Sequence, residues 1–545
     1  MRAPILVAAA VLSARTVVAQ TADGFFGPVR SLTTFGSVIE DRVRMRQVAG
    51  LGSAARSMIR TPSSMTATDS ASGCFTRWMP FAPQLDVAWS SALPTERNDG
   101  GMWSGRGLTT RLLAGARSRC GRVTVQLAPE IWYAQNRAFG LTSVDAPDRS
   151  GFINPFFSGP EWSADIPVRF GMEPLLVAEP GQSSLTVAVG KAQVGFSTES
   201  EWWGPGIRNA LVLSNHAAGV PRAFAGTGAP VQTRLGHLHA RWMIGALVES
   251  PYFDFDESND LRSLSGLIVS LQTAADSNLS LGAARVVFAP IAGAGALPAR
   301  AFDVIARWGE GANVRRATEG RAADQLVSLF ARWIFPESRF ETYGEWARVE
   351  LPASISALIV APHVSQGYTL GLQWLSADPT RDAWRIQTEV TNLEQVLSSR
   401  QTIPPTFYVS PTVPQGYTQR GQVLGAMIGP GSSTQWVAVD RIAPAWHFGG
   451  FISRTRWQND AYYKAPTGRG NWAHDVSLVA GIRGAFAVRP AVVVVELAAE
   501  RRLNYLFQSS TVGYESDDTF DVNNLALRFR VEPRFQRGAS IRIVE

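Results

Sequence analysis

"AWRIQTEVTN" occupies residues 383–392, and its side chains separate by parity. Trp384, Ile386, Thr388 and Val390 fall on one face, Arg385, Gln387, Glu389 and Thr391 on the other. A period of two is that of a β-strand whose faces meet different surroundings. The same division recurs in "NNLALRFRVE" (523–532), where Leu525, Leu527, Phe529 and Val531 oppose Asn524, Arg528, Arg530 and Glu532. In "QGYTLGLQWL" (366–375), Tyr368, Leu370, Leu372 and Trp374 oppose Thr369 and Gln373. "LVSLFARWIF" (326–335) and "RFETYGEWARVE" (339–350) flank a Pro-Glu-Ser turn, with Arg339, Glu341 and Glu345 on one side.

Each such segment is about ten residues long, the length of a strand that crosses a bilayer at a tilt. A soluble sandwich also alternates, so the choice rests on what accompanies the alternation. The chain has 545 residues, 17 Trp and only 18% charged residues. Few long helical periods are present to cover a sheet, and past the N-terminus no run approaches the ~20 apolar residues of a spanning helix. These features predict an all-β chain, a closed transmembrane antiparallel barrel of roughly 16–18 strands. An Arg on the lipid face costs about 2–4 kcal/mol at mid-bilayer, so Arg385, Arg528 and Arg530 are expected in the lumen.

The N-terminus supports export. Residues 1–19 pair Arg2 with an apolar run from Pro4 to Leu12 and small residues at Val17 and Ala19, the pattern of a signal peptide. Residues 20–80 are read as a short N-terminal periplasmic helical segment and 81–545 as the outer-membrane barrel. Within the former, Ser37 and Glu40 suggest a capping box opening a helix that runs toward Ser57. Export places Cys74 and Cys120 in an oxidising compartment where they can pair, the alternative being two buried free thiols. The final "SIRIVE" keeps alternation at Ile541 and Ile543 but ends on Glu545, not on the aromatic residue common at barrel termini. The Ala/Gly-rich "APIAGAGALPARA" (289–301) reads as a loop.

The net charge of +6 is spread along the chain, unlike the concentrated stripe of a nucleic-acid binder, and suits anionic polymers or lipid head groups. Catalysis finds little footing: there is no Gly-x-Ser-x-Gly elbow, and "IGPGSS" (428–433) lacks the Lys of a phosphate loop. His237 and His239 share a strand face without an evident third metal ligand. "DFDESND" (254–260 from Asp254 onward for its carboxylates) lacks the glycine and glutamate of a calcium loop and reads as a solvated acidic turn. Sugar binding fits better. "ESEWWGPGIRNALVLSN" (199–215) combines the flat indoles of Trp202 and Trp203 with Glu201, Arg208 and Asn209, groups suited to a pyranose face and its hydroxyl rim. The competing reading puts the two indoles in an aromatic girdle at the lipid head groups.

"WWGPGIRNALVLSN" (202–215) resembles the hallmark stretch of Wzi-type capsule-assembly proteins, and "GYTQRGQVLGAMIGPGS" (416–432) resembles a second. "YGEWARVELP" (343–352) followed by "SQGYTLGLQWL" (365–375) is similar to the adjoining barrel strands of that family. The resemblance runs from about 195 to 460. It implies an outer-membrane barrel with a periplasmic helical portion, acting as a lectin for capsular or other surface polysaccharide, without catalysis or cofactor. On this reading the candidate polysaccharide-binding residues are Trp202, Trp203, Arg208, Asn209 and Asn215 in the first motif and Tyr417, Arg420 and Gln422 in the second. Glu345 and Glu389 are expected as polar lumen residues. The expected partners are the polysaccharide and outer-membrane lipids, around a monomeric barrel. The rival reading is a porin or sugar-selective channel, because lumen Arg and Glu serve that role too.

Overall fold

The computed structural model describes residues 31–533 apart from 53–57, 67–73, 76–77, 96, 142–148, 160–161, 307–321, 350–353, 396–404, 465–472, 489–490 and 509–519. The signal segment and the residues Ile541, Ile543 and Glu545 lie outside them. Eighteen antiparallel strands close into a barrel. The first strand, Met79–Ser90, pairs with the last, Val522–Pro533, so that no edge is left open.

Parity decides what each face meets. In the Ala383–Asn392 strand, Arg385 and Glu389 are each 1% exposed, whereas Trp384 is 51% and Ile386 38% exposed. Apolar residues look outward and charged residues inward, the inverse of a water-soluble domain and the arrangement a lipid solvent imposes. The three arginines expected in the lumen have carboxylate partners there: Arg385 with Asp440, Arg528 with Asp99 and Arg530 with Asp86. Arg339 instead lies in the turn between strands, bonding the Leu375 and Ser376 carbonyls.

Connections are short at one end and long at the other. Gly121–Arg122 and Gly190–Lys191 are two-residue turns, and Gly121 and Gly190 take the positive φ that such turns require. By the usual build of these barrels, short turns face the periplasm and long connections the exterior. Trp333, Trp374, Trp384 and Trp446 sit near the short-turn end, each with its indole partly exposed on the outer surface. They form the girdle that Trp202 and Trp203 do not. An arginine on the outer face should destabilise: Ile452→Arg, midway along Trp446–Trp457, is expected to cost about 2–4 kcal/mol. Urea unfolding from liposomes measures it, and an unchanged midpoint would place Ile452 away from lipid.

The stretch 289–301, expected as a loop, corrects that expectation in part. It ends a strand at Pro290 and then forms a 3₁₀ turn, Ala294–Ala296, and a short helix, Leu297–Arg300. The chain here lies against the outer wall. The Trp242 indole donates to the Ala301 carbonyl at 2.9 Å, and Arg285 donates to Val304 O and Gln325. An outward-facing arginine is thereby covered by protein and kept from lipid.

The residues before the first strand fold back into the barrel. Val38–Val48 is a helix whose N-cap, Ser37, accepts from the Glu40 amide at 3.3 Å; the Glu40 carboxylate returns to the Gly36 amide at 2.7 Å, one residue before the expected capping-box position. It crosses the periplasmic mouth: Asp41 meets Arg385, Arg44 meets Glu341, and Arg42 bonds the Pro444 carbonyl in a short turn. Cys74 is joined by a disulfide to Cys120, 46 residues away at the end of the second strand. Unreduced protein is therefore expected to show no reactive thiol, and a chain-entropy reckoning gives the bridge about 4 kcal/mol. Two thiols labelling without reductant would overturn this.

Candidate functional site: a bolted lumen plug

Between the Ala192–Ser197 and Arg222–Thr227 strands the chain leaves the wall and turns inward. Trp202–Trp203 forms a two-residue strand paired antiparallel with Ile59–Arg60 of the N-terminal segment. Trp203 is fully buried at 0% exposure and Trp202 at 2%. The Trp202 ring lies under the Arg60 guanidinium at 5.1 Å and beside Phe35 at 5.8 Å. Trp203 packs so closely on the wall that a Cβ added to Gly266 would meet its ring at 2.9 Å.

The Gly-Pro-Gly turn serves a buried carboxylate. Glu389, projecting from the wall, accepts the consecutive backbone amides of Ile207, Arg208 and Asn209 at 2.7, 3.1 and 2.8 Å, and the Tyr343 hydroxyl at 2.7 Å. Successive amides converging on one anion form a nest, and each charge-assisted bond is stronger than a neutral one. Glu345 accepts the Leu211 amide at 2.9 Å, and Gly204, at φ +94°, leaves room beside that carboxylate. Glu201 lies between Arg222 and Arg241 at 2.9 and 3.0 Å. Burial pushes the Glu201 carboxyl up, but the two guanidiniums outweigh it and hold it below the usual carboxylate range.

The second hallmark, on the connection between Ala383–Asn392 and Ser433–Ile442, packs onto the first. The Tyr408 hydroxyl donates to Leu211 O and the Tyr417 hydroxyl to Val212 O, both at 2.8 Å. The Ser214 amide donates to Leu424 O at 2.8 Å. Leu211, Val212, Tyr417, Leu424 and Ile428 share one apolar cluster with the inward wall residues Met243, Leu264, Ile268 and Phe330. The lumen thus holds an apolar core on one side and charged networks elsewhere.

Trp202, Trp203 and Tyr417, expected as candidates for polysaccharide contact, are all at most 2% exposed, with their rings packed inside protein. Asn209 donates to Glu389, Asn215 donates to the Asn98 carbonyl, and Gln422 is buried in a hairpin opposite Gln419. Glu345 and Glu389 face the lumen as expected, but inside packed protein, not water. Two candidates keep reachable side chains. Arg420, at φ +53°, is 44% exposed and reaches Glu179 at 3.1 Å; Arg208 is half-buried over the Trp436 ring at 4.7 Å. The sequence reading passed over Trp436 and the N-terminal clamp Met58–Arg60. Trp436 was visible as an indole in phase with Thr434 and Asp440, on the polar face of its strand. Among the described residues no group of three or more His, Cys, Asp or Glu is arranged to hold a metal, and His237 and His239 gain no third ligand.

The family model for the capsule assembly protein Wzi matches residues 94–440, the span that contains both inward segments and the wall carboxylates they bind. The chain belongs to the Wzi capsule-assembly family. Among solved structures, a Wzi from Escherichia coli is 11% identical, with 83% of this chain and 85% of that chain covered and a TM-score of 0.51. That protein is described as an outer-membrane protein involved in group 1 capsule assembly and a carbohydrate-binding β-barrel. At this identity the likeness speaks for the fold. OprD from Pseudomonas aeruginosa (10% identity, 83% and 94% covered, TM-score 0.37) and a BenF-like porin from Pseudomonas fluorescens (8%, 83% and 97%, 0.37) are also similar, more loosely in shape. A search of curated proteins found no match. The Wzi-family chain is an outer-membrane protein, as its lipid-facing wall requires.

Proposed function

We propose that this Wzi-family chain is a lectin of the outer membrane that binds capsular or other surface polysaccharide, helps attach it to the cell surface, and carries out no catalysis. The observation that supports binding over passage is the occupied lumen: a helix at the periplasmic mouth, one inward segment fastened to wall carboxylates and a second packed onto it. A channel needs a continuous water path, whereas a lectin needs a rigid surface. In this reading Trp202, Trp203, Asn209, Asn215, Tyr417, Gln422, Glu345 and Glu389 hold the plug in shape. Arg208 and Arg420 are the candidates left to meet polymer. Weak contacts repeated along a polysaccharide sum through multivalency, so a deep pocket is not required.

The test pairs two measurements on detergent-purified protein. Pull-down with the host's own capsule should retain the polymer, and planar-bilayer recordings should show no large steady conductance. An open-channel current without polymer retention would replace the lectin by the porin.

A further inference from the structure

Lumen guanidiniums in this barrel are mostly matched to carboxylates. Arg44 and Arg332 share Glu341, Arg222 and Arg241 share Glu201, and Arg385 and Arg483 share Asp440. Arg208 departs from this pattern. Its backbone amide binds Glu389, yet its guanidinium makes neither an ion pair nor a hydrogen bond among the described residues. What holds the group is the face of Trp436, over which Arg483 also lies, at 5.2 Å.

The surroundings add positive charge. Burial pulls the Arg208 guanidinium down to about 10, and Arg97 acts on it in the same direction; Glu496 and Glu389 oppose. At neutral pH it stays cationic. The nearby carboxylates are already engaged: Glu496 by Arg97, Asp440 by Arg385 and Arg483, and Glu389 by three amides and a tyrosine. Arg97, Arg208 and Arg483 all retain partial exposure. A partly desolvated guanidinium without a direct ion-pair partner is costly, and an incoming anion relieves that cost. The planar fork, centred 4.7 Å from the indole centroid, matches a carboxylate's two oxygens.

We propose that Arg208, seated on Trp436 with Arg97 and Arg483 beside it, forms an anion-binding subsite inside the barrel that takes the carboxylate of an acidic sugar unit. The proposal rests on the lectin reading and narrows it to uronate-bearing polysaccharide. The third arginine of the group, Arg97, comes from the 91–106 connection, which joins the first two barrel strands on the exterior side.

Titration calorimetry on the full-length protein in detergent tests it with two probes: a hexasaccharide carrying glucuronate in alternate units, and the same oligosaccharide with its carboxylates reduced to alcohols. Wild type should prefer the acidic probe, and added salt should weaken that preference. Arg208→Gln should weaken the acidic probe by about 10-fold or more and leave the neutral one within about 2-fold. Arg208→Lys, which keeps the charge but not the planar fork, should recover only part of the loss. Heat-modifiable gel migration confirms that each variant is a folded barrel. Equal wild-type affinity for both probes, no binding of the acidic one, or indifference to Arg208→Gln would each overturn the subsite. The lectin reading would survive any of these if native capsule were still retained in the pull-down. Inorganic phosphate displacing the acidic probe as well as free glucuronate does would overturn the assignment to a sugar carboxylate.

Discussion

Glu389→Ala is expected to turn a silent barrel into a conducting one. The Glu389 carboxylate is the acceptor for the amides of Ile207, Arg208 and Asn209 and for the Tyr343 hydroxyl. Truncation leaves these donors without a partner inside packed protein, where each unsatisfied group costs about 1–3 kcal/mol. Relaxation will recover part of this, and a net loss of about 3–5 kcal/mol is the scale seen when one partner of a buried charged contact is removed. The wall need not suffer, because the Ala383–Asn392 strand keeps its ladder bonds on both sides. The inward segment is the part that should come loose. Planar-bilayer recordings should then show current spikes or steady conductance absent from wild type, while heat-modifiable migration stays normal. Tyr343→Phe removes a single donor and should cost only ~1 kcal/mol, without opening. A Glu389→Ala barrel as silent and as heat-resistant as wild type would show that the amide nest does not fasten the plug.

The second large effect is expected at Trp203. Its ring is enclosed by the apolar cluster that joins the plug to the wall, and Trp→Ala at such a site costs about 3–5 kcal/mol. Trp203→Ala should lower the unfolding midpoint of the plug and reduce capsule retention together, in a barrel that still inserts. Trp203→Phe, which refills most of the volume, should restore both. Trp202→Ala should act more weakly, since that ring touches Arg60 and Phe35 in a smaller cluster. The bracing account makes retention follow plug stability across the series. Lost retention at unchanged stability would instead return the indole pair to direct glycan contact.

Much of the architecture was legible because the bilayer permits few solutions. Backbone groups in lipid must be paired within the protein, so alternating ten-residue segments without covering helices have a closed barrel as their outlet. Arg385, Arg528 and Arg530 could be assigned inward from the lipid-face penalty alone, and their partners Asp440, Asp99 and Asp86 are inward too. The short helix Leu297–Arg300 against the outer wall was not legible, because a loop and a short covering helix share the same Ala/Gly-rich composition. The candidate site was legible only as a location. A tryptophan pair suits a sugar platform, a girdle or a core, and its chemistry is the same in each.

By itself, then, the amino-acid order determined the strands, the face each shows to lipid, the capped helix at Ser37 and the two segments that matter most. These depend on local spacing, which a linear chain displays. Tertiary structure alone decided that Trp203 is core, that Glu389 fastens the Gly-Pro-Gly turn and that the Arg208 guanidinium makes no ion pair among the described residues. Such facts depend on which distant residues meet: Arg385 and Asp41 are 344 positions apart, and Asn209 and Glu389 are 180 apart. Barrel closure brings those pairs together, and no spacing in the chain records the encounter.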